Sequence, residues 1–478
     1  MKKTLKFLQF LFVFLIISSI PTSSGKSGIQ VQNSIPSFPC YRDITAINQG
    51  LQNLKNQYPN LVNLKEIGSS WESQAIYSVE ITNKSITEAK PRLVLVSGLR
   101  ANAFVPVELS LRFAERVLAN HGNSAEDNWI LDYLELDLIV LANPDGRSKA
   151  ELQAFQNVEI SWQNNLHNSC QTIEYGVHLN FNFPFEWRES VTGACDPAYS
   201  GESSVSEPET QAIVNYLKEL KAEDERILLL DLDAYGNEML SPYQFDSGAE
   251  NDSIDQLYTL GKKIAYTSPS VPYRQNETDH QAAYGTLVDY AFGELEIPAL
   301  VFSMGSAKAG LYATECWYFN EYLLEQNLTA LKQALKLSSE PFQRAYGPEL
   351  EIESLRYQKN GIKISGTADD FTKWHNGADQ YSSVKRIEYS LDLPPWHPQA
   401  KLFSVTKIDQ DPVYSFYASF ELELPFEGLT EGKHRIYFQA WDEESKFAAS
   451  QPGVVSAVDF RVILPGNFII LYLPIIRK

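Results

Sequence analysis

The chain has 478 residues, 44% of them apolar, and a formal net charge of −20. The length admits two to four domains with sizeable cores. The acidic balance argues against nucleic acid or an anionic membrane as partner, because both attract basic surfaces.

Lys2, Lys3 and Lys6 precede an apolar run from Phe7 to Ile20, and Ser23, Ser24 and Gly25 follow. That order is the pattern of a cleaved secretory signal over residues 1–25. The competing reading is a membrane anchor, but the run falls short of the ~20 apolar residues of a spanning helix. The expectation is therefore a secreted, extracellular chain with no transmembrane segment once mature. Residues 26–40 are polar, carry Pro36 and Pro39, and read as a linker.

From 41 to 338, helix and strand patterns alternate. Ile44 to Tyr58 is amphipathic and helical. Asn63 to Glu66, Ala75 to Ile81 and Arg92 to Ser97 read as strands, and a helix follows from Val107 to Ala119. Leu136 to Leu141 is a strand ending in Asn143-Pro-Asp-Gly146. A helix over Glu207 to Leu220, strands at Ile227 to Leu230 and Ala299 to Phe302, and a helix over Glu321 to Leu337 complete the series. Alternation of this kind predicts an α/β domain with a mixed, mostly parallel sheet flanked by helices. Its site belongs outside the carboxyl ends of the strands, where Arg100, Asn143, Asp233 and Ser303 fall. Residues 340 to 348 read as a break. Runs near 350–357, 361–367, 385–391, 403–408, 415–424, 434–440 and 454–462 then predict a small antiparallel β-sandwich over 346–463. Phe438-Gln-Ala-Trp-Asp442 resembles a strand end of immunoglobulin-like modules. Such a module packs against the α/β domain or mediates attachment. The apolar tail 464–478 ends in Arg477 and Lys478 and reads as a terminal strand or a surface-sorting tail.

The four cysteines, Cys40, Cys170, Cys195 and Cys316, suit disulfides in an exported chain. Cys170 and Cys195 bracket a loop-rich stretch and form the better pair; Cys40 and Cys316 pair by elimination. Asn83, Asn251, Asn276 and Asn327 open N-x-Ser/Thr sequons.

Several motifs, in order and at fitting separations, resemble the zinc carboxypeptidase family. These are Asn143-Pro-Asp-Gly146, Gly176-Val-His-Leu-Asn-Phe-Asn182, Tyr199-Ser-Gly201 with Ser206-Glu-Pro-Glu-Thr210, Asp231-Leu-Asp-Ala-Tyr-Gly236, and Gly285-Thr-Leu-Val-Asp-Tyr-Ala291. The resemblance covers roughly 300 residues, from about 41 to 337. Cys170 and Cys195 fall where digestive members have a disulfide.

The resemblance implies a zinc held by two His and one Glu, with a further Glu as general base. This chain departs from it at every such position. Arg100 stands at the first His, and a guanidinium has no lone pair to give. Ala103 stands at the Glu ligand, Asp233 at the second His, and Ser303 at the general base. Trp162-Gln-Asn-Asn-Leu166 replaces Trp-Arg-x-x-Arg, so both arginines are gone, with Leu166 at the oxyanion position. Asn180 remains from the Asn-Arg pair that holds a substrate carboxylate, but its partner is Phe181. The flap tyrosine falls near His280 or Gln281, with Tyr284 in reach after realignment. His121, His167, His178 and His280 have no Glu at ligand spacing, and no G-x-S-x-G elbow occurs.

The expected reading is a secreted family member without zinc or other cofactor and without peptidase activity. Its old cleft then serves peptides or cell-surface polymers. The paired changes imply that Arg100 and Asp233 form an ion pair in the metal's space, unless Arg100 turns to solvent. The alternative reading is an active metallocarboxypeptidase that releases C-terminal amino acids. A third is a different enzyme using Asp231, Asp233 or Asp145.

Overall fold

The computed structural model describes residues 34–35, 37–171, 174–191, 193–245, 252–267, 283–305, 315–370, 382–443 and 450–463. The readings for 1–25, the tail 464–478, His280 and Gln281 lie outside the described residues.

The chain enters as a short antiparallel pair, β1 (Ser34–Ile35) and β2 (Phe38–Arg42), in a stretch expected to be linker up to residue 40. Cys40 is buried there and bridges to Cys316, so this segment is fastened to the body. Helix α1 (Ile44–Gln57) follows, with the Asp43 carboxylate capping the Ala46 amide. Next come β3 (Val62–Ser69), β4 (Ala75–Ile81), β5 (Arg92–Ser97), α2 (Phe104–Asn120), α3 (Ala125–Tyr133), β6 (Glu135–Ile139) and α4 (Pro144–Phe155). Beyond a long irregular stretch lie α5 (Pro208–Glu223), β7 (Ile227–Asp233), β8 (Glu238–Leu240), α6 (Asp252–Tyr266), α7 (Leu287–Gly293) and β9 (Ala299–Ser303). Helices α8 (Cys316–Tyr318) and α9 (Leu324–Leu337), joined by a π-turn over 319–323, and α10 (Pro341–Tyr346) close this part.

The strands form one seven-stranded sheet in the order β3-β4-β6-β5-β7-β9-β8. Strands β6, β5, β7 and β9 pair in parallel, and the pairings toward the edges, β3 with β4, β4 with β6 and β8 with β9, are antiparallel. The central strands read as unbroken apolar runs because both faces are covered: all six residues of β5 and all five of β9 are buried. One core lies under α1, α2, α3, α6 and α9, and the other under α5 and α7.

The order reverses at β5, whose neighbours β6 and β7 both come later in the chain. Crevices open at the carboxyl ends of such strands. Register pairs Asp233 with Ser303 and Ser97 with Leu232, so the residues that follow β5, β7 and β9 emerge together.

Where a break was expected, α10 puts Arg344 into the core, with Nη1 donating to the Gly453 carbonyl at 2.7 Å. Eight strands follow: β10 (Glu349–Gln358), β11 (Gly361–Asp369), β12 (Val384–Leu391), β13 (Phe403–Ser404), β14 (Lys407–Gln410), β15 (Tyr417–Pro425), β16 (Gly432–Asp442) and β17 (Ser456–Val462). They make two four-stranded antiparallel sheets, β10-β11-β15-β14 and β13-β12-β16-β17, over a shared apolar core. This pair of sheets packs on the α/β part through Trp129, whose ring meets Trp396 at 5.7 Å and Tyr437 at 6.4 Å. Among the described residues, no helix is long and apolar enough to cross a membrane.

Candidate functional site

Strand β5 ends at Ser97, and Gly98 turns the chain with φ +73°. A side chain there would crowd Val107 and Leu141 at 3.1 and 3.2 Å. The turn delivers Arg100 to the mouth of the crevice, opposite the end of β7. Its Nε lies 3.3 Å from Asp233 Oδ1, and its Nη2 lies 3.4 Å from Oδ2. The pair is thus side-on and two-pronged. Nη1 donates to Gln163 Oε1 at 2.6 Å.

Two further positions expected from the sequence, Ala103 and Ser303, follow β5 and end β9. Ala103 is 1% exposed and offers no donor atom. Ser303 is buried beside Asp233 and donates its hydroxyl to the Tyr235 carbonyl at 2.8 Å. That hydroxyl is therefore engaged with the backbone rather than paired to a base.

Asp231 lies two residues before Asp233, on the same face of β7. Burial pushes its carboxyl well above the usual range, and the neighbouring Asp233 adds to this against the pull of Arg100. Asn180 donates to Asp231 Oδ2 at 3.1 Å and accepts from the Leu287 amide at 2.9 Å. Expected as a substrate-binding residue, Asn180 ties the floor of the crevice to the start of α7. His178 is 4% exposed, stacks on Phe181 at 4.0 Å, and has an unpartnered Nδ1. Burial, helped by Arg100, depresses its pKa well below the ordinary value, so the ring is neutral.

Two expectations are corrected by position. Leu166, read as the oxyanion-arginine position, lines a separate shallow depression with Trp162, Lys149 and Glu174. Gln163, three residues earlier, is the residue that reaches the crevice. The irregular backbone of this loop has no period from which to fix that register. Asp145 is not available for acid–base work. It is fully buried and accepts from Ser70 Oγ, the Glu72 amide and Gln74 Nε2 at 2.6 to 2.8 Å, clamping the β3–β4 turn. Both cysteine pairs form as read, Cys170–Cys195 and Cys40–Cys316.

Zinc does not fit this donor set. A metal needs lone pairs from three protein groups and an open position. The three positions that would supply ligands offer a guanidinium, a methyl group, and one carboxylate already paired to the guanidinium. Among the described residues, no three His, Cys, Asp or Glu side chains converge as a metal would require.

The zinc carboxypeptidase family profile matches residues 47–329. Curated relatives include the "inactive metallocarboxypeptidase ECM14" of Saccharomyces cerevisiae, 26% identical over 260 residues, which span 52% of this chain and 59% of that one. The protein of the same name from Blastomyces gilchristii is 23% identical over 316 residues, 64% of this chain and 51% of that one. The chain therefore spans between half and three-fifths of the length of these relatives. Among solved structures, carboxypeptidase A from Helicoverpa armigera aligns with a TM-score of 0.54 at 20% identity, covering 63% of this chain and 74% of that chain. Bovine thrombin-activatable fibrinolysis inhibitor, in complex with tick carboxypeptidase inhibitor, aligns at 0.53 with 18% identity, covering 62% and 97%. With the profile spanning more than half of its length, the chain belongs to the zinc carboxypeptidase family.

Proposed function

We propose that this chain is an exported, non-catalytic member of its family, whose crevice binds peptides or cell-surface polymers instead of cleaving them. The observation that carries the reading is the Arg100–Asp233 pair. It sets a fixed cation and its counter-charge where catalysis needs a Lewis acid and its ligands. Loss of the base at Ser303 and of the arginine at Gln163 removes water activation and oxyanion stabilisation as well. Phe181 and the neutral His178 give the floor an apolar face where the family holds a substrate carboxylate. That the similar fungal proteins are named inactive metallocarboxypeptidases supports the same reading.

Export is supported by the N-terminal pattern over 1–25 and by two disulfides, which persist in oxidising compartments. The division we propose is 26–40 as a lead-in, 41–338 as the carboxypeptidase-like domain, 346–463 as an immunoglobulin-like β-sandwich, and 464–478 as a tail. Incubation with peptides ending in aromatic, aliphatic and basic residues, with zinc added, is expected to release no amino acid. Time-dependent release abolished by a chelator would establish the active alternative instead.

A further inference from the structure

We propose that Asn83 is an N-glycan attachment site, an inference that rests on the export reading. Of the four sequons, those at Asn83 and Asn327 lie within the described residues, and their surroundings are opposite.

Asn83 is half-buried in the turn that leaves β4, where Lys84 and Ser85 are exposed. Its Oδ1 accepts from the Ser85 amide at 3.1 Å and from the Ser85 hydroxyl at 2.6 Å. This Asx turn brings the hydroxyl of the sequon onto the amide that would be modified. Nδ2 donates to Asp132 Oδ1 at 2.7 Å. An amide nitrogen carries two hydrogens, so one can be replaced by a sugar while the other keeps this bond. Beside the turn lies an open depression of about 580 Å³, with Tyr58, Asn60, Lys84 and His121 in its lining. It offers an aromatic ring and several polar groups to a first sugar residue.

Asn327 is 1% exposed within α9. The Thr329 hydroxyl there donates to the Glu325 carbonyl at 2.9 Å rather than to the Asn327 amide. A glycan at Asn327 is incompatible with the packed helix.

The transfer forms a bond between Asn83 Nδ2 and the anomeric carbon of an N-acetylhexosamine. It breaks that carbon's bond to the oxygen of a lipid-linked pyrophosphate donor. The pyrophosphate leaves on the lipid, and the displaced amide proton balances its new charge.

The test expresses the full chain in a eukaryotic secretory host in two forms, one with its own N-terminus and one with a host leader placed ahead. Enzymatic glycan release in ¹⁸O-water then marks each formerly glycosylated Asn as labelled Asp. Label is expected at Asn83 and not at Asn327, lost in Ser85→Ala and kept in Ser85→Thr. An unlabelled Asn83 in the secreted, leader-fused chain would overturn the proposal. Label at Asn83 in the leader-fused form alone would uphold the glycan site and overturn only the export reading.

Discussion

The side chains of Arg100 and Asp233 are 22% and 19% exposed, so water screens their attraction only in part. Removing one partner leaves the other charge in a poorly solvated crevice. Arg100→Ala is therefore expected to lower stability by about 1–3 kcal/mol, between the exposed and buried extremes for broken pairs. Asp233→Ala should cost less, because it also relieves the like charge on Asp231. Urea unfolding of both single variants and the double variant measures the coupling; simple additivity would contradict a working pair. The triple change Arg100→His, Ala103→Glu and Asp233→His is expected to create zinc binding, read by calorimetry, if the three side chains converge as placed. At this scale the sequence was informative wherever a residue ends or closely follows a buried strand, since the strand end fixes its position; Asp233 and Ser303 end β7 and β9, and Arg100 follows the turn after β5. Gln163 and Leu166 sit in a loop held by side-chain bonds such as Asn164 Nδ2 to the Gly176 carbonyl at 2.9 Å. No pattern in the sequence fixes where such a loop points.

Strands buried on both faces announce themselves as apolar runs, which is why Arg92–Ser97 was placed to the residue; Ala75–Ile81 was placed as well, though only part of it is buried. Elements held by polar contacts did not. Helix α4 buries Asp145, Arg147 and Glu151 and starts on an Asn143 cap, so its sequence lacks an apolar stripe. The run expected as one strand from Phe403 to Ile408 is two: β13 pairs with β12 in one sheet, and β14 pairs with β15 in the other. Strand period says nothing about such a crossing between sheets. The disulfides act at this scale too. Cys40–Cys316 spans 276 residues and Cys170–Cys195 spans 25. Chain-entropy reasoning gives losses of about 5.5 and about 3.5 kcal/mol for the Cys316→Ser and Cys195→Ser variants. Thermal unfolding under non-reducing conditions checks the order; a larger loss from Cys195→Ser would contradict it.

The two folded parts share an interface with a definite charge and packing pattern. Arg435 meets Asp132 at 3.2 Å, and the buried Lys263 meets Glu349 at 2.9 Å and the Gly347 carbonyl at 2.7 Å. Trp129→Ala should cost about 3–5 kcal/mol, the range for a lost core aromatic. It should also split a single unfolding transition in two, by differential scanning calorimetry. Asp370 lies near this junction with one carboxyl oxygen unpartnered, and burial raises its pKa to about 8. The folded chain thus binds this proton more tightly than the unfolded chain. The group destabilises the fold progressively as pH rises from about 4, the unfolded value, through about 8. Asp370→Asn is expected to be more stable than the parent above pH 8 and to lose that advantage near pH 4; a constant difference in stability across that range would contradict the assignment. The whole account stands on a family fold whose metal centre has become an ion pair. Its most direct test is the zinc content of the purified chain after incubation with excess zinc and desalting, by elemental mass spectrometry. The account predicts well under one-tenth of an equivalent, roughly what a site with no ligand trio retains; close to one equivalent per chain, lost when Asp233 is replaced by Ala, would contradict it.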